Sequence, residues 1–457
     1  MKRFHCVLSA ILLAQGSALV LQEACAAVSA GDAAKLQVSL TPIGAERAAS
    51  TDGRIPAWQG GLSGDGLKIQ GNGTPADPYA ADRPLFTIDA SNYEQYQANL
   101  SAGQIALLKR YPGQYKLPVY PSRRSAGVSG QVKGWAAHNA TGARLVNDGN
   151  GIEGFHGAVA FPIPQNGLQA IWNHITRYRG GSLLSVNDSA APQASGDYVI
   201  TTTEQRFTMA DQVSNYEPGK VDNMLFYYSH RITAPSRQVG EVVLVHETLD
   251  QVKQPRLSWV YSSGQRRVRR APDNAYDAAG PTTAGLRTAD SRDMYNGAPD
   301  RYDWKLIGKK ELFIPYNSYR LASPSLKYAD FLKPGVIDSA PTRYELHRVW
   351  EVEATLKPGA RHIYSKRRFY LDEDSWTVVE NDQYDSRGEL WRIGENHTFY
   401  RPDAQVLLSA AQVFYDLQAG RYIASNMSNE QPLGYDFGFR ATTSDYSPGA
   451  LRGLGIR

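Results

Sequence analysis

The sequence predicts a mainly β chain of the α+β class, built on one large antiparallel sheet. Two patterns support this fold class. Residues 343–397 read as four consecutive strands joined by three short turns, with apolar and polar residues alternating at period two. Five further segments between residues 197 and 270 read as successive strands. Strands that follow one another through short turns pair antiparallel, so we expect one extensive sheet.

The N terminus predicts export. Two basic residues, Lys2 and Arg3, precede an apolar run that ends at a small-x-small site, Ala24-Cys25-Ala26. This is the pattern of a cleaved signal peptide, here residues 1–26. A membrane anchor is the alternative, and the cleavage site argues against it. The mature chain is therefore expected in the periplasm, either free or associated with the outer membrane, and no later apolar run is long enough to span a bilayer.

Composition excludes several classes of function. Both cysteines, Cys6 and Cys25, fall in the predicted signal peptide, so we expect no disulfide, thiolate nucleophile or cysteine-bound metal in the mature chain. The formal net charge of +4 over 457 residues gives no electrostatic signal for a nucleic-acid partner or a membrane surface. No internal repeat of about 20–50 residues is visible, which argues against a solenoid or propeller.

Three regions follow the predicted signal peptide. Residues 27–195 are expected to form an irregular and helical N-terminal region that packs on the sheet. Residues 196–430 are expected to form the sheet, and residues 431–457 a loop-like tail. Residues 271–301 interrupt the sheet as a long polar insertion, and this length predicts a functional or docked loop rather than a simple connection.

Helix and strand signals place the individual elements. Ser101 is a candidate N-cap for a helix over residues 102–111. Residues 167–178 predict the best amphipathic helix of the chain, which should lie on the sheet, and a short third helix is predicted within residues 323–333. The strands outside residues 343–397 are predicted over residues 197–209, 223–233, 239–249, 256–261, 265–270, 304–314, 411–415 and 421–425.

No catalytic motif is present, so catalytic, metal and cofactor sites are predicted to be absent. The richest polar cluster includes Glu345, His347 and Glu351, which share one face of a strand. These residues could bind a metal or relay protons, but a solvated sheet face with ion pairs to neighbouring strands is the favoured interpretation. Asp372 and Asp374 are interpreted as residues of a hairpin turn.

The basic block Gln265-Arg-Arg-Val-Arg-Arg270 is more distinctive. Four guanidinium groups on one short strand cannot all be buried without partners. One interpretation is that some of them contact acidic lipid head groups, phosphates or a protein partner. The favoured alternative is that they pair with the acidic residues that follow in the chain, which are Asp273, Asp277, Asp300 and Asp303.

Motifs along the whole mature chain resemble the domain of unknown function 1329 (DUF1329) family of Gram-negative envelope proteins. They include Leu40-Thr-Pro-Ile-Gly-Ala-Glu46, Asp52-Gly-Arg-Ile-Pro-Ala-Trp58, Phe161-Pro-Ile-Pro164, Gly264-Gln-Arg-Arg-Val-Arg-Arg-Ala-Pro272, Asp300-Arg-Tyr-Asp-Trp304, Arg343-Tyr-Glu-Leu-His-Arg-Val-Trp350 and Asp382-Gln-Tyr-Asp385. No catalytic residue is established for that family, so the resemblance transfers none.

The strand region is also similar to the LolA/LolB-like lipoprotein-sorting proteins. The similarity rests on a Trp-Val-Tyr strand, a glycine hairpin, the basic strand that ends in proline, and the late meander. It implies a curved antiparallel half-barrel whose helices cover an apolar cavity, and a non-enzymatic carrier of a lipid or other hydrophobic molecule. The cavity-lining residues expected on this basis are Trp172, Ile175, Trp259, Tyr261 and Trp350. A polar head at the rim would meet Arg267 or Arg269.

Two other functions remain as alternatives. The chain could be a non-enzymatic accessory component that docks to an inner-membrane transporter or an outer-membrane barrel through residues 271–301. A hydrolase that uses Glu345, His347 and Glu351 is the least favoured alternative.

Overall fold

The computed structural model describes residues 28–218, 223–271, 276–279 and 282–456. The predicted signal peptide, residues 1–26, lies outside these ranges. Within them, no helix is both long enough and apolar enough to cross a bilayer.

Strands make up most of the regular structure. They are β1 (Phe86–Ile88), β2 (Leu117–Tyr120), β3 (Arg144–Val146), β4 (Gly151–Glu153), β5 (Ser182–Ala190), β6 (Thr201–Met209), β7 (Met224–Ala234), β8 (Val242–Thr248), β9 (Leu257–Ser262), β10 (Arg267–Arg270), β11 (Tyr302–Pro315), β12 (Tyr344–Leu356), β13 (Lys366–Asp372), β14 (Val378–Tyr384), β15 (Leu390–Arg401), β16 (Val406–Asp416), β17 (Arg421–Met427) and β18 (Tyr435–Asp436). Among the described residues, sixteen of these strands form one curved sheet that does not close, while β3 and β4 pair with each other.

Hydrogen bonding runs in the order β1-β2-β12-β13-β14-β15-β16-β17-β5-β6-β7-β8-β9-β10, with β11 beside β12 and β18 beside β5. All of these pairs are antiparallel except β2 with β12, which makes the sheet mixed. The predicted four-strand segment is β12 to β15, and the predicted fold class is confirmed. Strand β5 lies between β17 and β6, although it precedes the predicted start of the sheet at residue 196.

The helices are few. They are α1 (Ala30–Ala34), α2 (Ala102–Arg110), α3 (Gly130–Gly142), α4 (Gly167–Thr176), α5 (Tyr328–Phe331) and α6 (Ala450–Ile456). Ser101 caps α2 as predicted, because its hydroxyl accepts the backbone N–H of Gln104 and the Gln104 side chain accepts the N–H of Ser101. The third predicted helix is the single turn α5. The tail, predicted to be loop-like, contains α6, which packs against β8 and β9.

Both faces of the sheet are buried in its middle strands. Val413 and Phe414 are neighbours on β16 and therefore point to opposite faces, yet both have no exposed surface and belong to different apolar clusters. Helix α2 and its surroundings cover one face, called the outer face, and α4 covers the other, called the inner face. The interpretation of Glu345 and His347 as a solvated face is therefore wrong, since their exposure is 0% and 1%.

Helix α4 packs on β11 and β12 at the inner face, as its apolar pattern predicts. The approach is close because α4 begins at a glycine: a Cβ on Gly167 would lie 2.8 Å from backbone atoms of Lys305. Beside the helix, the rings of Trp376 and Trp350 stack with centroids 6.0 Å apart, and Trp376 Nε1 donates to the carbonyl of Ile43 at 2.8 Å. This end of the inner face is therefore filled by side chains.

The predicted insertion docks on the same face. Its Asp290 accepts a hydrogen bond from Arg367 of β13 at 2.6 Å, and both side chains are buried. Met294 and Tyr295 have 0% and 1% exposure, and Met294 O accepts from the amide of Asn381 at 3.0 Å. Residues 286–299 of the insertion, most of which are buried, thus belong to the core rather than to a free loop.

Candidate functional site

A cavity of about 230 Å³ lies on the inner face beyond the C-terminal end of α4. Its floor comes from β5 to β8, β16 and β17, and its roof comes from the docked insertion. A second cavity of about 320 Å³ adjoins it, because Ser189, Thr282 and Ile423 line both. The inner face is therefore filled near β11 to β14 and open near β5 to β8.

The floor of the cavity is built by strand alternation. Side chains two residues apart on a strand point to the same face, and the following residues of β5 to β8 and β17 line the floor at this spacing. They are Leu183, Ser185, Asn187 and Ser189 of β5; Thr203, Gln205 and Phe207 of β6; Phe226, Tyr228 and His230 of β7; Val243 and Val245 of β8; and Ile423 and Ser425 of β17. One continuous face of the sheet thus supplies both the apolar and the polar part of the wall.

The apolar part of the wall is centred on two aromatic rings. Phe207 and Phe226 lie on neighbouring strands with ring centroids 5.1 Å apart. Val243 and Val245 continue the apolar surface on β8. Such a surface favours an aliphatic or aromatic group, because binding removes apolar area from water.

The charged part of the wall is strongly basic. Five arginines and two aspartates line the cavity, namely Arg177, Arg179, Arg256, Arg287, Arg292, Asp188 and Asp293. Arg177 and Arg179 both pair with Asp293, at 2.6 and 3.1 Å. Arg256 pairs with the buried Glu247 at 2.6 Å. These three arginines therefore have carboxylate partners within the protein.

Arg287 and Arg292, both on the roof, differ from the other three. Arg292 Nη2 donates to His230 Nδ1 at 3.3 Å, and its guanidinium lies 4.3 Å from the ring centre of Tyr228. Arg287 Nη1 donates to Ser425 Oγ at 3.4 Å. Neither arginine forms an ion pair within the part of the chain that the structure describes.

The protonation states follow from burial and from these two charges. Burial, assisted by the neighbouring Arg292, lowers the pKa of Arg287 to about 10, so it is still charged at neutral pH. Burial and the two guanidiniums hold the pKa of His230 well below its ordinary value, so its ring is neutral. Burial raises the pKa of Tyr228, which therefore keeps its phenolic proton. The cavity thus combines an apolar wall with a positively charged end.

Three residues predicted to line a cavity lie instead in the filled part of the inner face. Trp172 has no exposed surface, and its Nε1 donates to Gly149 O at 2.9 Å. Ile175 is 4% exposed in the same apolar cluster. Trp350 is half-buried between Trp376 and Lys309. None of the three borders the 230 Å³ cavity, and their ligand role stays a prediction.

The other four predicted residues lie at the far edge of the sheet. Tyr261 is buried and Trp259 is half-buried, and both belong to the apolar cluster that includes α6. Arg267 and Arg269 are exposed on the edge strand β10. These residues do not border the cavity either, so the structure brings the seven together in two separate groups.

The favoured interpretation of the basic block, ion pairing with the insertion, is not supported for the described residues. Asp277 accepts the backbone N–H of Ile363, and Asp300 accepts the hydroxyl of Tyr276. The exposed arginines of β10 make no ion pair among the described residues, where only Arg270 has a ring contact, 5.3 Å from the centre of Trp259. Asp273 lies outside those residues.

One group of described residues has the composition of a metal site. Ligand atoms of His347, Asp372 and Asp374 lie within 4.8 Å of one another, and all three residues are buried. Internal partners already hold two of them: Arg124 donates to both oxygens of Asp374 at 2.6 and 2.8 Å, and His347 Nε2 lies 3.1 Å from Glu345. Asp374 lies in the hairpin turn as predicted, whereas Asp372 is the last residue of β13, and burial and the neighbouring Asp374 raise the pKa of Asp372 to about 7.

Sequence patterns did not identify Arg287 and Arg292. They lie in the insertion, where no helix or strand period assigns a direction to a side chain. Their position depends on how the insertion docks on β13 and β14, which is a contact between residues far apart in the chain. The local signal is weak: Arg287 and Arg292 are two of the three basic residues in a polar segment that also contains five aspartates.

Comparisons with known proteins identify relatives of the chain. The model of a family described as protein of unknown function, DUF1329, matches residues 87–452. An uncharacterized protein of Pseudomonas aeruginosa is 55% identical over 439 residues, which is 96% of this chain and 96% of that protein. Sequence similarity therefore extends through the sheet, the insertion and α6.

Three solved structures share parts of the architecture. A domain assigned to outer membrane lipoprotein sorting in Vibrio parahaemolyticus has a TM-score of 0.44 at 12% identity, covering 63% of this chain and 98% of that one. A DUF1329 family protein from Desulfovibrio piger has a TM-score of 0.38 at 14% identity, covering 59% and 91%. A LolA superfamily protein from Nitrosomonas europaea has a TM-score of 0.36 at 10% identity, covering 60% and 92%.

Proposed function

The chain belongs to the DUF1329 family of proteins of unknown function, and we propose that it is a non-enzymatic carrier that binds a hydrophobic molecule in the inner-face cavity. The observation that carries the proposal is the composition of the cavity floor. Phe207, Phe226, Val243 and Val245 face one open space from three neighbouring strands, where a packed sheet would fill it with side chains. Pockets that bind small molecules combine such apolar walls with a few polar groups.

The compartment proposed for this carrier is the periplasm. The basic start, apolar run and cleavage site of residues 1–26 support export. A carrier for a hydrophobic molecule is useful between two membranes, because such a molecule does not cross water readily by itself. The cargo would be a lipid or a lipid-like molecule, and association with the outer membrane belongs to the same proposal.

A cavity-filling variant tests the proposal. Val245→Trp places a large ring in the cavity, whereas Val252→Trp makes the same change at a position that is 60% exposed and outside the cavity. Fluorescence titration with N-phenyl-1-naphthylamine, an uncharged apolar probe, measures binding. We expect the wild type and Val252→Trp to bind alike and Val245→Trp to bind about ten-fold more weakly.

Circular dichroism and thermal unfolding of the three proteins serve as the folding control. Loss of probe binding in a folded Val245→Trp variant supports the cavity as the binding site. If the wild type takes up no probe, or if folded Val245→Trp binds as well as the wild type, the proposal is rejected.

The accessory-component alternative was predicted to dock through residues 271–301, and the one observation that favours it lies on a different surface, the edge strand β10. Strand β10 is an edge strand whose four residues, Arg267–Arg270, are all exposed, and the described residues form no ion pair with its arginines. An exposed basic edge could accept an acidic strand or loop of an envelope partner. Co-purification with the Arg267→Gln, Arg269→Gln double variant tests this: loss of a partner that the wild type retains supports docking, and an unchanged set of partners rejects it.

A further inference from the structure

We propose that the cargo of this cavity is an amphiphile with an anionic head, a carboxylate or a phosphate monoester, which Arg287 and Arg292 bind from the roof. The inference rests on the proposed function and adds the chemical class of the ligand. It comes from the charges inside the cavity, which the apolar wall alone does not explain.

The two roof arginines lack a counter-charge among the described residues. Burial of a charged group is costly unless a partner of opposite charge compensates for it. Arg177 and Arg179 share Asp293, and Arg256 has Glu247. Among the described residues, Arg287 and Arg292 contact only neutral groups directly, and Asp293 acts on Arg287 without forming an ion pair with it, so a ligand with a negative charge would complete this end of the cavity.

The carboxylates nearby are already engaged. Asp293 accepts from both of its arginines, as described above. Asp188, the other acidic residue of the wall, accepts hydrogen bonds from Thr202, Tyr328 and Gln431, each at 2.6 Å. Neither aspartate can move to the roof without breaking these contacts. The two roof arginines therefore have no carboxylate of the wall as a counter-ion.

The groups beside the two roof arginines are neutral and offer hydrogen-bond donors to a ligand. His230 Nδ1 accepts the hydrogen bond from Arg292, which requires that this nitrogen carries no proton. Tyr228 Oη and Arg287 Nε are both buried without a hydrogen-bond partner, and both residues border the cavity. An oxygen of a carboxylate or phosphate group can accept from two or three such donors at once, and arginine suits this bidentate geometry.

The apolar wall and the positively charged roof enclose the same cavity. The cationic roof faces the same space as Phe207 and Phe226. A free inorganic anion would leave that apolar surface exposed to water, and an uncharged hydrocarbon would leave the two guanidiniums without a partner. A molecule with an anionic head and a hydrocarbon tail satisfies both.

Isothermal titration calorimetry of the purified protein tests the inference. The four probes are decanoate, decyl phosphate, decanol and inorganic phosphate. We expect decanoate or decyl phosphate to bind about ten-fold or more tightly than decanol, and inorganic phosphate to bind weakest. The Arg287→Gln, Arg292→Gln double variant should lose this preference, so that the two anionic compounds bind no more tightly than decanol. Arg269→Gln, on the exposed edge strand, removes a charge away from the cavity and should keep the preference.

The outcomes separate the two proposals. If neither decanoate nor decyl phosphate binds to the wild type more tightly than decanol does, the anionic head is overturned and the carrier stays intact. Failure of all three decyl compounds overturns the carrier and the head together. If inorganic phosphate binds as tightly as decyl phosphate, the proposal of an amphiphile is rejected, because the hydrocarbon tail then adds nothing to the affinity. If Arg269→Gln loses the anion preference and the double variant keeps it, the anionic head binds at the edge strand and not at the roof. This result contradicts the inference.

Discussion

Arg367 of β13 donates to Asp290 of the insertion at 2.6 Å, and neither side chain has more than 3% of its surface exposed. Three tyrosine rings surround the guanidinium, those of Tyr295, Tyr302 and Tyr364, with centres 4.9 to 5.7 Å away. This buried ion pair fixes the insertion on the inner face of the sheet. The insertion carries Arg287 and Arg292, so the pair also sets the position of the cavity roof.

The first prediction concerns this ion pair. Arg367→Met leaves Asp290 buried without its arginine, which should lower the free energy of unfolding by about 3–5 kcal/mol. Arg387→Met is the control, because Arg387 is 73% exposed in its pair with Asp385, and its loss should cost below about 1 kcal/mol. Urea denaturation measures both, and hydrogen exchange should rise within residues 283–296 in Arg367→Met. Equal stability of the two variants would contradict this role.

The second prediction concerns pH. Glu380 and Glu395 lie directly opposite each other on β14 and β15, both fully buried. Burial raises the pKa of Glu395 to about 7, although hydrogen bonds from Tyr115 and Tyr344 oppose the shift. A carboxyl group with a raised pKa in the folded state binds its proton more tightly there. Its stabilising effect is therefore present below the unfolded pKa of about 4.5 and is lost as the pH rises towards 7.

The variant Glu395→Gln tests this effect, since an amide carbonyl can still accept from the two tyrosines. Relative to wild type, it should gain on the order of 3 kcal/mol at pH 8 and almost nothing at pH 4, where the wild-type carboxyl is protonated. Glu389→Gln, at an exposed position, should follow the wild type at every pH. Parallel stability curves for wild type and Glu395→Gln between pH 4 and 8 would show that this carboxyl does not titrate across that range.

The third prediction concerns the filled end of the inner face. Trp376→Ala removes a ring with no exposed surface that stacks on Trp350, and it should cost about 3–5 kcal/mol of unfolding free energy. Trp376→Phe keeps most of the packing but loses the hydrogen bond to Ile43 O, so its cost should be nearer 1–2 kcal/mol, on the order of one hydrogen bond plus a small cavity. Chemical denaturation separates these values, and a loss below about 1 kcal/mol in Trp376→Ala would mean that the site repacks.

The fourth prediction concerns the group formed by His347, Asp372 and Asp374. Because Arg124 and Glu345 already hold two of its three members, excess zinc should not raise the melting temperature. Differential scanning calorimetry with zinc and with a chelator checks this. A zinc-dependent rise that disappears in His347→Gln would assign a metal to the group and would revive the hydrolase alternative.

Local patterns were sufficient to predict much of the sheet. Strands β6 to β17 have the alternation or apolar runs that identify a strand, and α2 and α4 have caps and apolar faces at helical spacing. Strand β5 was not predicted because its polar residues, such as Ser185 and Asn187, line a cavity instead of a packed core. Alternation also did not reveal that Glu345 and His347 are buried, since a polar face looks the same whether water or another polar layer covers it.

The candidate site depends on long-range contacts to a greater degree than the individual strands do. Tyr228, His230 and Phe207 lie on predicted strands, but their shared face became a cavity wall only through the position of the insertion. Trp172 and Trp350 have the aromatic character expected of lining residues, yet α4 and Trp376 fill the space beside them. Which part of a curved sheet is open depends on what packs against it, and no local period encodes that.

Native mass spectrometry of the protein, purified from its host without detergent, tests the central claim most directly. The account predicts an additional bound mass, released under activation as an amphiphile with an acidic head, in the wild type and in the Val252→Trp control. The same mass should be absent from folded Val245→Trp and depleted in the Arg287→Gln, Arg292→Gln double variant. A wild-type chain that carries no ligand from its host and takes up no decyl compound afterwards would contradict the claim that this cavity carries an anionic amphiphile.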